Sequence, residues 1–334
     1  MTTFLSGIQA TGLQHYGNYF GAIKQHLELS REAGTNFYFI ADYHALTQTP
    51  NPEHLREWVF ETAVTYLALG LDPSAALFRQ SDVPEVTELT WLLSCVTGMG
   101  LLERAHSYKD KTAHGIKPNV GLFTYPILMA ADILAYDSNV VPVGKDQIQH
   151  VEMAQDMAGH FNNVYGDGTE AGAIFTRPEA RMPKVAAHAK ILGLDGEKMS
   201  KSYGNQIWIF ETGKALKKAV NKIATDSREP SEAKDPAGVL LLDFLKLFCP
   251  ESEFEEWSDR VRQGGTDAPG YGHIKVRLVE AIEEHFRGPR ALRAELLADR
   301  GEVERRLASG AEVARERARA TRDRALAACG LRSA

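Results

Sequence analysis

A chain of 334 residues, 44% hydrophobic and 25% charged, has the composition of a globular protein and the length of about two domains, which excludes a mostly disordered or collagen-like polypeptide. No apolar run reaches the roughly 18 residues of a membrane span, no secretory signal is read at the N-terminus, and three widely spaced cysteines without a Cys-x-x-Cys speak against a disulfide framework or a cysteine zinc site, so a cytoplasmic protein is expected. The net charge of −6 is uneven: residues 287–332 carry twelve arginines against seven acids, so that one end is basic while the rest is acidic.

Strand-like and helix-like runs alternate through the first half. Thr3 to Ile8 reads as a buried strand, followed by a turn at Gln9–Gly12 and a helix from about Tyr16 to Glu32. Asn36–Ala41 is aromatic and branched and predicts a second strand; Pro52 to Leu69 has helical periodicity, with Pro52 suited to a first turn. Ala75–Phe78 is a third strand, Glu85–Val96 and Thr124–Tyr136 are helices, Asn139–Val143 is a strand, and Asp146–Phe161 is a helix. This alternation predicts an α/β protein with a parallel sheet and helices on both faces. After about residue 208 the strand signals stop. Helices are predicted over 213–223, 238–248, 253–263, 273–286 and 290–328, the last broken near Gly301 or Gly310. The expected organisation is therefore an α/β domain at 1–208 and an all-helical domain at 209–334.

Two segments carry chemistry. In Gly7-Ile8-Gln9-Ala10-Thr11-Gly12-Leu13-Gln14-His15-Tyr16-Gly17-Asn18 the glycines let backbone approach a ligand closely. His15 and Asn18 sit three apart at a helix start, where free N–H groups and the dipole favour a phosphate chain. A capping pair without a ligand explains them too. Lys198-Met199-Ser200-Lys201-Ser202 is more specific. Its two lysines and two hydroxyls form a compact donor set for the charge that builds on a departing pyrophosphate, and Gly193, Gly196 and Gly204 around it permit a flap.

Together these segments resemble the signatures of class I aminoacyl-tRNA synthetases. His15-Tyr16-Gly17-Asn18 is similar to the HIGH tetrapeptide, and residues 198–202 are the KMSKS loop unchanged. The resemblance implies a Rossmann-like catalytic domain that takes ATP as substrate, with Mg²⁺ carried by the nucleotide. It implies catalytic roles for His15, Asn18, Lys111, Lys198 and Lys201. It places ATP contacts at Gln9, Ala10, Thr11, Gly17, Asn18, Gly144, Lys145, Asp146, Ile191, Lys198, Met199, Ser200, Lys201 and Ser202. Lys109 and Lys111 occupy the family's position for phosphate contacts, although a solvated basic loop accounts for them equally well.

Tyr125, Met129 and Asp132 fall at i, i+4 and i+7, on one face of a predicted helix. A carboxylate on an otherwise apolar face needs a donor; a core contact is one account and a substrate N–H is the other. The helix resembles the specificity helix of the tryptophanyl branch, which implies that Asp132 accepts from an indole nitrogen. The tyrosyl branch places Gln where Met129 stands, and a thioether suits a flat apolar ring. The same resemblance puts Leu5, His44, Val141, Val143 and Gln147 in the amino-acid pocket, and Gly144 and Asp146 beside the ribose. A packed or capping role for His44 is the other account.

The implied reaction is ATP-dependent ligation of tryptophan to tRNA through an adenylate, by a homodimer whose helical domain, with its arginine-rich end, contacts the tRNA anticodon region. No general base is required, because the nucleophile is a carboxylate already ionised at neutral pH. Ala10 departs from the family's usual Pro, and Lys145 stands where an acid is common. No P-loop, H-E-x-x-H or metal-spaced Cys/His cluster is found. A tyrosyl enzyme and a non-catalytic RNA-binding paralogue are the competing readings.

Overall fold

The computed structural model describes residues 2–10, 12–48, 50–105, 119–144, 147–169, 172–182 and 191–332. Five strands, β1 (Thr3–Ile8), β2 (Thr35–Ile40), β3 (Ala76–Arg79), β4 (Val140–Pro142) and β5 (Glu179–Arg181), form one sheet in the order β3-β2-β1-β4-β5. Every pairing is parallel. β1 and β2 are buried along almost their whole length, as parallel strands covered on both faces must be. Leu5, Phe37, Phe39 and Phe78 enter the main hydrophobic core. Tyr38, pointing to the opposite face by alternation, donates its hydroxyl to the His26 carbonyl at 2.8 Å.

β5 lies outside the sequence expectation. Its Glu-Ala-Arg is mostly exposed and carries no apolar pattern; it is a strand because the edge of β4 offers backbone partners. Arg181 closes that edge with a bidentate pair to Glu32 at 2.8 and 3.0 Å.

The helices follow in chain order: α1 (Tyr16–Asn18), α2 (Lys24–Leu29), α3 (Asp42–Ala45), α4 (Pro52–Ala68), α5 (Glu85–Ser94), α6 (Met99–Glu103), α7 (Val120–Leu134), α8 (Ile148–Tyr165), α9 (Gly213–Asn221), α10 (Leu240–Lys246), α11 (Glu251–Gln263), α12 (Tyr271–His285), α13 (Arg287–Ala298) and α14 (Arg300–Ala328). The helix expected over 16–32 is interrupted by a π-helical turn at Tyr19–Ile23, a local widening often found at functional sites. α7 begins four residues before its predicted start, because the Asn119 side chain caps it by accepting from the Leu122 N–H at 2.7 Å.

Two compact units emerge, and they do not divide at 208/209. One comprises residues 1–12, 26–185 and 296–334; the other comprises 13–25 and 186–295. The early segment joins the later helices because the fully buried ring of Tyr16 packs edge-on against Phe248 at 5.1 Å and stacks on Phe286 at 5.7 Å. The C-terminal helix α14 belongs to the sheet. Its Gly310 lies so close to β3 that a Cβ there would come within 2.1 Å of the Leu77 carbonyl oxygen, and Ala311, Ala314, Ala318 and Ala325 enter the main core. The break expected near Gly301 or Gly310 falls at Asp299, whose side chain caps α14 by accepting from the Glu302 N–H.

The arginines of α14 are largely answered inside the sheet unit. Arg315 and Arg319 both reach Glu85, which is 1% exposed, at 3.0 Å. Arg324 pairs with Asp137 at 2.6 Å, and Arg322 pairs with Asp323.

Candidate active site

The strand order reverses between β1 and β4. In open α/β sheets this switch point opens a crevice beyond the carboxyl ends of the strands. Gln9 and Ala10 leave β1 there, and Val143 and Gly144 leave β4 there. A cavity of about 540 Å³ lies in the sheet unit, walled by Gly7, Gln9, Ala10, Phe39, Ala41, His44, Ala45, Trp58, Tyr125, Met129, Gln147 and His150 among others. Of the residues assigned to substrate by sequence, His44, Tyr125, Met129 and Gln147 line it. Leu5 and Val141 are core residues, 1% and 6% exposed, and Val143 packs against that core. None of the three lines the cavity, because their side chains are taken up by the hydrophobic core.

Asp132 is 1% exposed and stands behind the His44 ring. His44 Nε2 lies 2.9 Å from Asp132 Oδ2. Gln80 Nε2 donates to both carboxylate oxygens, at 2.9 and 2.8 Å. The orientation of the Gln80 amide is dictated from its other end, where Oε1 accepts from the Tyr43 N–H at 3.1 Å and the His44 N–H at 3.4 Å. Burial pushes the Asp132 carboxyl above its ordinary range, a shift that His44 and Gln80 oppose. A carboxylate offers about four acceptor sites, so these three contacts from two nitrogens leave one site open. A second chain of contacts crosses the cavity wall: Tyr125 OH meets His150 Nε2 at 2.9 Å, and His150 Nδ1 meets Gln147 Oε1 at 2.7 Å. Burial raises the Tyr125 hydroxyl to about 12, so it acts as a neutral O–H.

The other unit brings the two signature segments together. His15 opens α1, with its N–H donating to Asn18 Oδ1 at 3.1 Å while the Asn18 N–H donates back to the His15 carbonyl at 2.9 Å. The Gly17 N–H points at Met199 Sδ, 3.2 Å away. A Cβ on Gly17 would lie 2.9 Å from the His15 ring and 3.3 Å from Met199 Cβ, so only glycine fits between them. Backbone bonds from Tyr16 N to Ile207 O and from Ile209 N to Gln14 O lock this segment to the chain that follows the lysine turn. His15 Nδ1 is buried with no hydrogen-bond partner among the described residues. Burial and the nearby Lys201 charge lower the His15 imidazole to about 4, so it is a neutral ring at pH 7.

In the lysine turn, Ile191 and Met199 pair through backbone, Met199 N to Ile191 O at 2.9 Å. Met199 is 3% exposed and anchors the turn, whereas Lys198, Lys201 and Ser202 are exposed. Ser200 Oγ and Ser202 Oγ lie 2.8 Å apart. Lys201 Nζ stands 5.8 Å from the centre of the Trp208 ring, a cation–π contact, and burial lowers its pKa. Thr11, Lys109, Lys111, Lys145 and Asp146 lie outside the described residues.

A class I tRNA synthetase family model (W and Y) matches residues 1–287. The chain belongs to this family. It is 51% identical over 329 residues to a tryptophan–tRNA ligase of Rhodopirellula baltica, covering 98% of this chain and 99% of that protein. It superimposes with a TM-score of 0.90 on the crystal structure of the Campylobacter jejuni tryptophanyl-tRNA synthetase complexed with ADP and tryptophan, at 45% identity and with 99% and 100% of the two chains covered. A tyrosyl-tRNA synthetase from Archaeoglobus fulgidus complexed with tyrosine shares the fold at 17% identity and a TM-score of 0.63.

Sequence reasoning missed two residues. Gln80 holds Asp132, yet it sits in no periodic or motif context. Asn205, 4% exposed, holds the lysine turn: its Oδ1 accepts from the Ser200 N–H at 2.9 Å, and its Nδ2 donates to Asp195 Oδ1 at 2.8 Å and to the Lys198 carbonyl at 3.2 Å. The one available signal was its position at the end of Lys198-Met-Ser-Lys-Ser-Tyr-Gly-Asn205, just after the αL residue Gly204.

Proposed function

We propose that this class I enzyme joins tryptophan to its tRNA in two steps. A tryptophan carboxylate oxygen attacks the α-phosphorus of ATP. The bond to that phosphorus forms, the bond to the bridging β-oxygen breaks, and pyrophosphate leaves with the electron pair. A ribose hydroxyl of the terminal tRNA adenosine then attacks the acyl carbon and AMP departs. The observation that carries the reading is Asp132: a buried carboxylate, clamped through both oxygens, behind an apolar and aromatic cavity wall. It suits one substrate donor on a flat hydrophobic ring. An indole N–H satisfies it, whereas a phenyl ring leaves it unanswered, and sites built around such a bond discriminate strongly.

Catalysis is positioning plus charge stabilisation. Gly17, His15 and Asn18 hold the phosphate chain at the start of α1, where the orphan His15 Nδ1 finds a partner. Lys198 and Lys201 neutralise the departing pyrophosphate, with Lys111 assisting. The neutral imidazole adds no repulsive charge to those cations. ATP brings Mg²⁺ with it. Gly144 and Asp146 are assigned to the ribose, with Lys145 as a positive charge beside the nucleotide.

Assembly as a homodimer in the cytoplasm completes the proposal. It draws support from large apolar side chains left exposed in the sheet unit, Leu46, Trp91, Met99 and Val120, 52 to 78% accessible. No helix among the described residues is long and apolar enough to cross a membrane. The test is exchange of labelled pyrophosphate into ATP by the purified protein. Exchange that depends on tryptophan is expected. Dependence on tyrosine alone would move the enzyme to the tyrosyl branch, and no exchange with either amino acid would make it a non-catalytic paralogue.

A further inference from the structure

The charged surface of this chain divides into cations that have partners and cations that do not. On α9, Lys214, Lys217 and Lys218, with Lys222 at its C-cap, are all exposed. They fall at i, i+3, i+4 and i+8, on one face. Leu216, Val220 and Ile223 are fully buried on the other. From Gly213 to Thr225 there is no acidic residue, and among the described residues none of the four ammonium groups is in an ion pair. The acid beside the helix, Glu283, is hydrogen-bonded to its first turn, where Oε1 accepts from the Gly213 N–H at 3.0 Å and from Thr212 Oγ1 at 3.2 Å, and it feels the Lys217 charge without an ion pair. Lys275 adds a fifth cation at the far end, its Nζ 2.9 Å from the Asn221 carbonyl.

Part of this stripe works against its own helix. Lys214 stands in the first turn, against the dipole, and 214/218 and 218/222 are like-charge pairs at i, i+4. Lys218 in the last turn and Lys222 at the C-cap favour the dipole, but among the described residues no ammonium of the stripe gains an ion pair on folding. A polyanion would gain from them, because each phosphate neutralised by a lysine releases condensed counterions. From Lys214 to Lys222 the stripe runs about 12 Å, the reach of several phosphates along one strand.

We infer that the lysine face of α9 is a docking surface for the phosphate backbone of tRNA. The inference rests on the proposed function for the choice of RNA, and it moves the expected polyanion contact away from the arginine-rich end. The arginines of α14 already answer Glu85 and Asp137, whereas among the described residues the lysines of α9 form no ion pair.

The test uses the full chain with Lys214→Gln, Lys217→Gln and Lys218→Gln combined, which keeps side-chain length and helix propensity. Tryptophan-dependent pyrophosphate exchange, which needs no tRNA, stays at the wild-type rate. The KM for tRNA in aminoacylation rises at least tenfold near 0.15 M salt. The slope of log affinity against log salt becomes shallower by roughly 0.7 to 0.9 for each lysine removed. The melting temperature does not fall, because repulsion is relieved. The comparison variant, Arg305→Gln with Arg306→Gln on α14, leaves the salt slope nearly unchanged. A triple variant with the wild-type tRNA KM and salt slope overturns the proposal. So does loss of binding to anionic phospholipid vesicles while tRNA affinity is kept. Should the wild type lack exchange with any amino acid, the catalytic reading fails by itself, and direct binding of tRNA still decides the role of the lysines.

Discussion

The candidate functional groups of the two units meet charge in opposite ways. In the sheet unit the polar groups that matter are answered within the chain: Asp132 by Gln80 and His44, and Glu85 by Arg315 and Arg319. In the other unit Lys198 stands exposed in its turn, the lysines of α9 face outward, and His15 Nδ1 has no partner among the described residues. A group that selects must be held before the substrate arrives, so the fold supplies its partners. A group that neutralises transferred phosphate gains by leaving that partner to the substrate. Counting charges along a chain does not separate these roles; knowing which are paired does.

The largest effect expected from this contrast is at Lys198. Lys198→Ala should slow adenylate formation by about a hundredfold or more, the size seen when one preorganised electrostatic group is removed. Its thermal stability and tryptophan affinity should hardly change, as measured by single-turnover kinetics and melting. An equal rate would show that the lysine is a spectator.

Breaking the answered side should give the reverse pattern. Gln80→Leu takes away the donor shared by both oxygens of Asp132 and should destabilise the fold by ~1–3 kcal/mol. It should also raise the tryptophan KM more than it lowers kcat. The discriminating readout is preference for tryptophan over its benzothiophene isostere, which lacks the N–H. That preference should collapse in Asp132→Ala and shrink in Gln80→Leu. An unchanged preference in Asp132→Ala would remove the carboxylate from recognition.

Glu85→Gln should cost about 1–3 kcal/mol in a denaturant melt. The carboxylate is buried, but its arginine partners are partly exposed and so count for less than a fully buried pair. Exchange activity should be retained.

The smallest effect is in pH. The folded His15 titrates near 4, below the ordinary 6.5 of an unfolded histidine. Between these values the unfolded chain binds the extra proton, so stability is full above pH 6.5 and declines as pH falls toward 4. His15→Gln should make that decline shallower without abolishing it, because burial lowers the His26 imidazole to about 4 as well. Lys201→Ala should shift the decline to lower amplitude, because one of the two causes of the depressed imidazole has gone.

Much of this was legible beforehand. Short apolar, aromatic or branched runs located four of the five strands, because parallel strands covered on both faces are buried almost throughout, and 3.6-residue periodicity located the long helices. Lys198–Ser202 and His15–Asn18 were legible as local clusters. Gln80 and Asn205 were not: each acts through hydrogen bonds to residues that only a fold brings near, and a single amide leaves no periodic trace. The domain boundary was missed for the same reason. Tyr16 meets Phe248 and Phe286, and Gly310 meets Leu77, across more than two hundred residues of chain.

Sequence alone therefore determined the kind of layers and the family signatures, because these are set by local spacing and residue chemistry. Tertiary structure alone decided which charges are neutralised within the chain, which side chains hold Asp132 and the lysine turn, and which unit each end of the chain joins. Those outcomes depend on distances between residues far apart in sequence, and such distances exist only once the hydrophobic layers have closed.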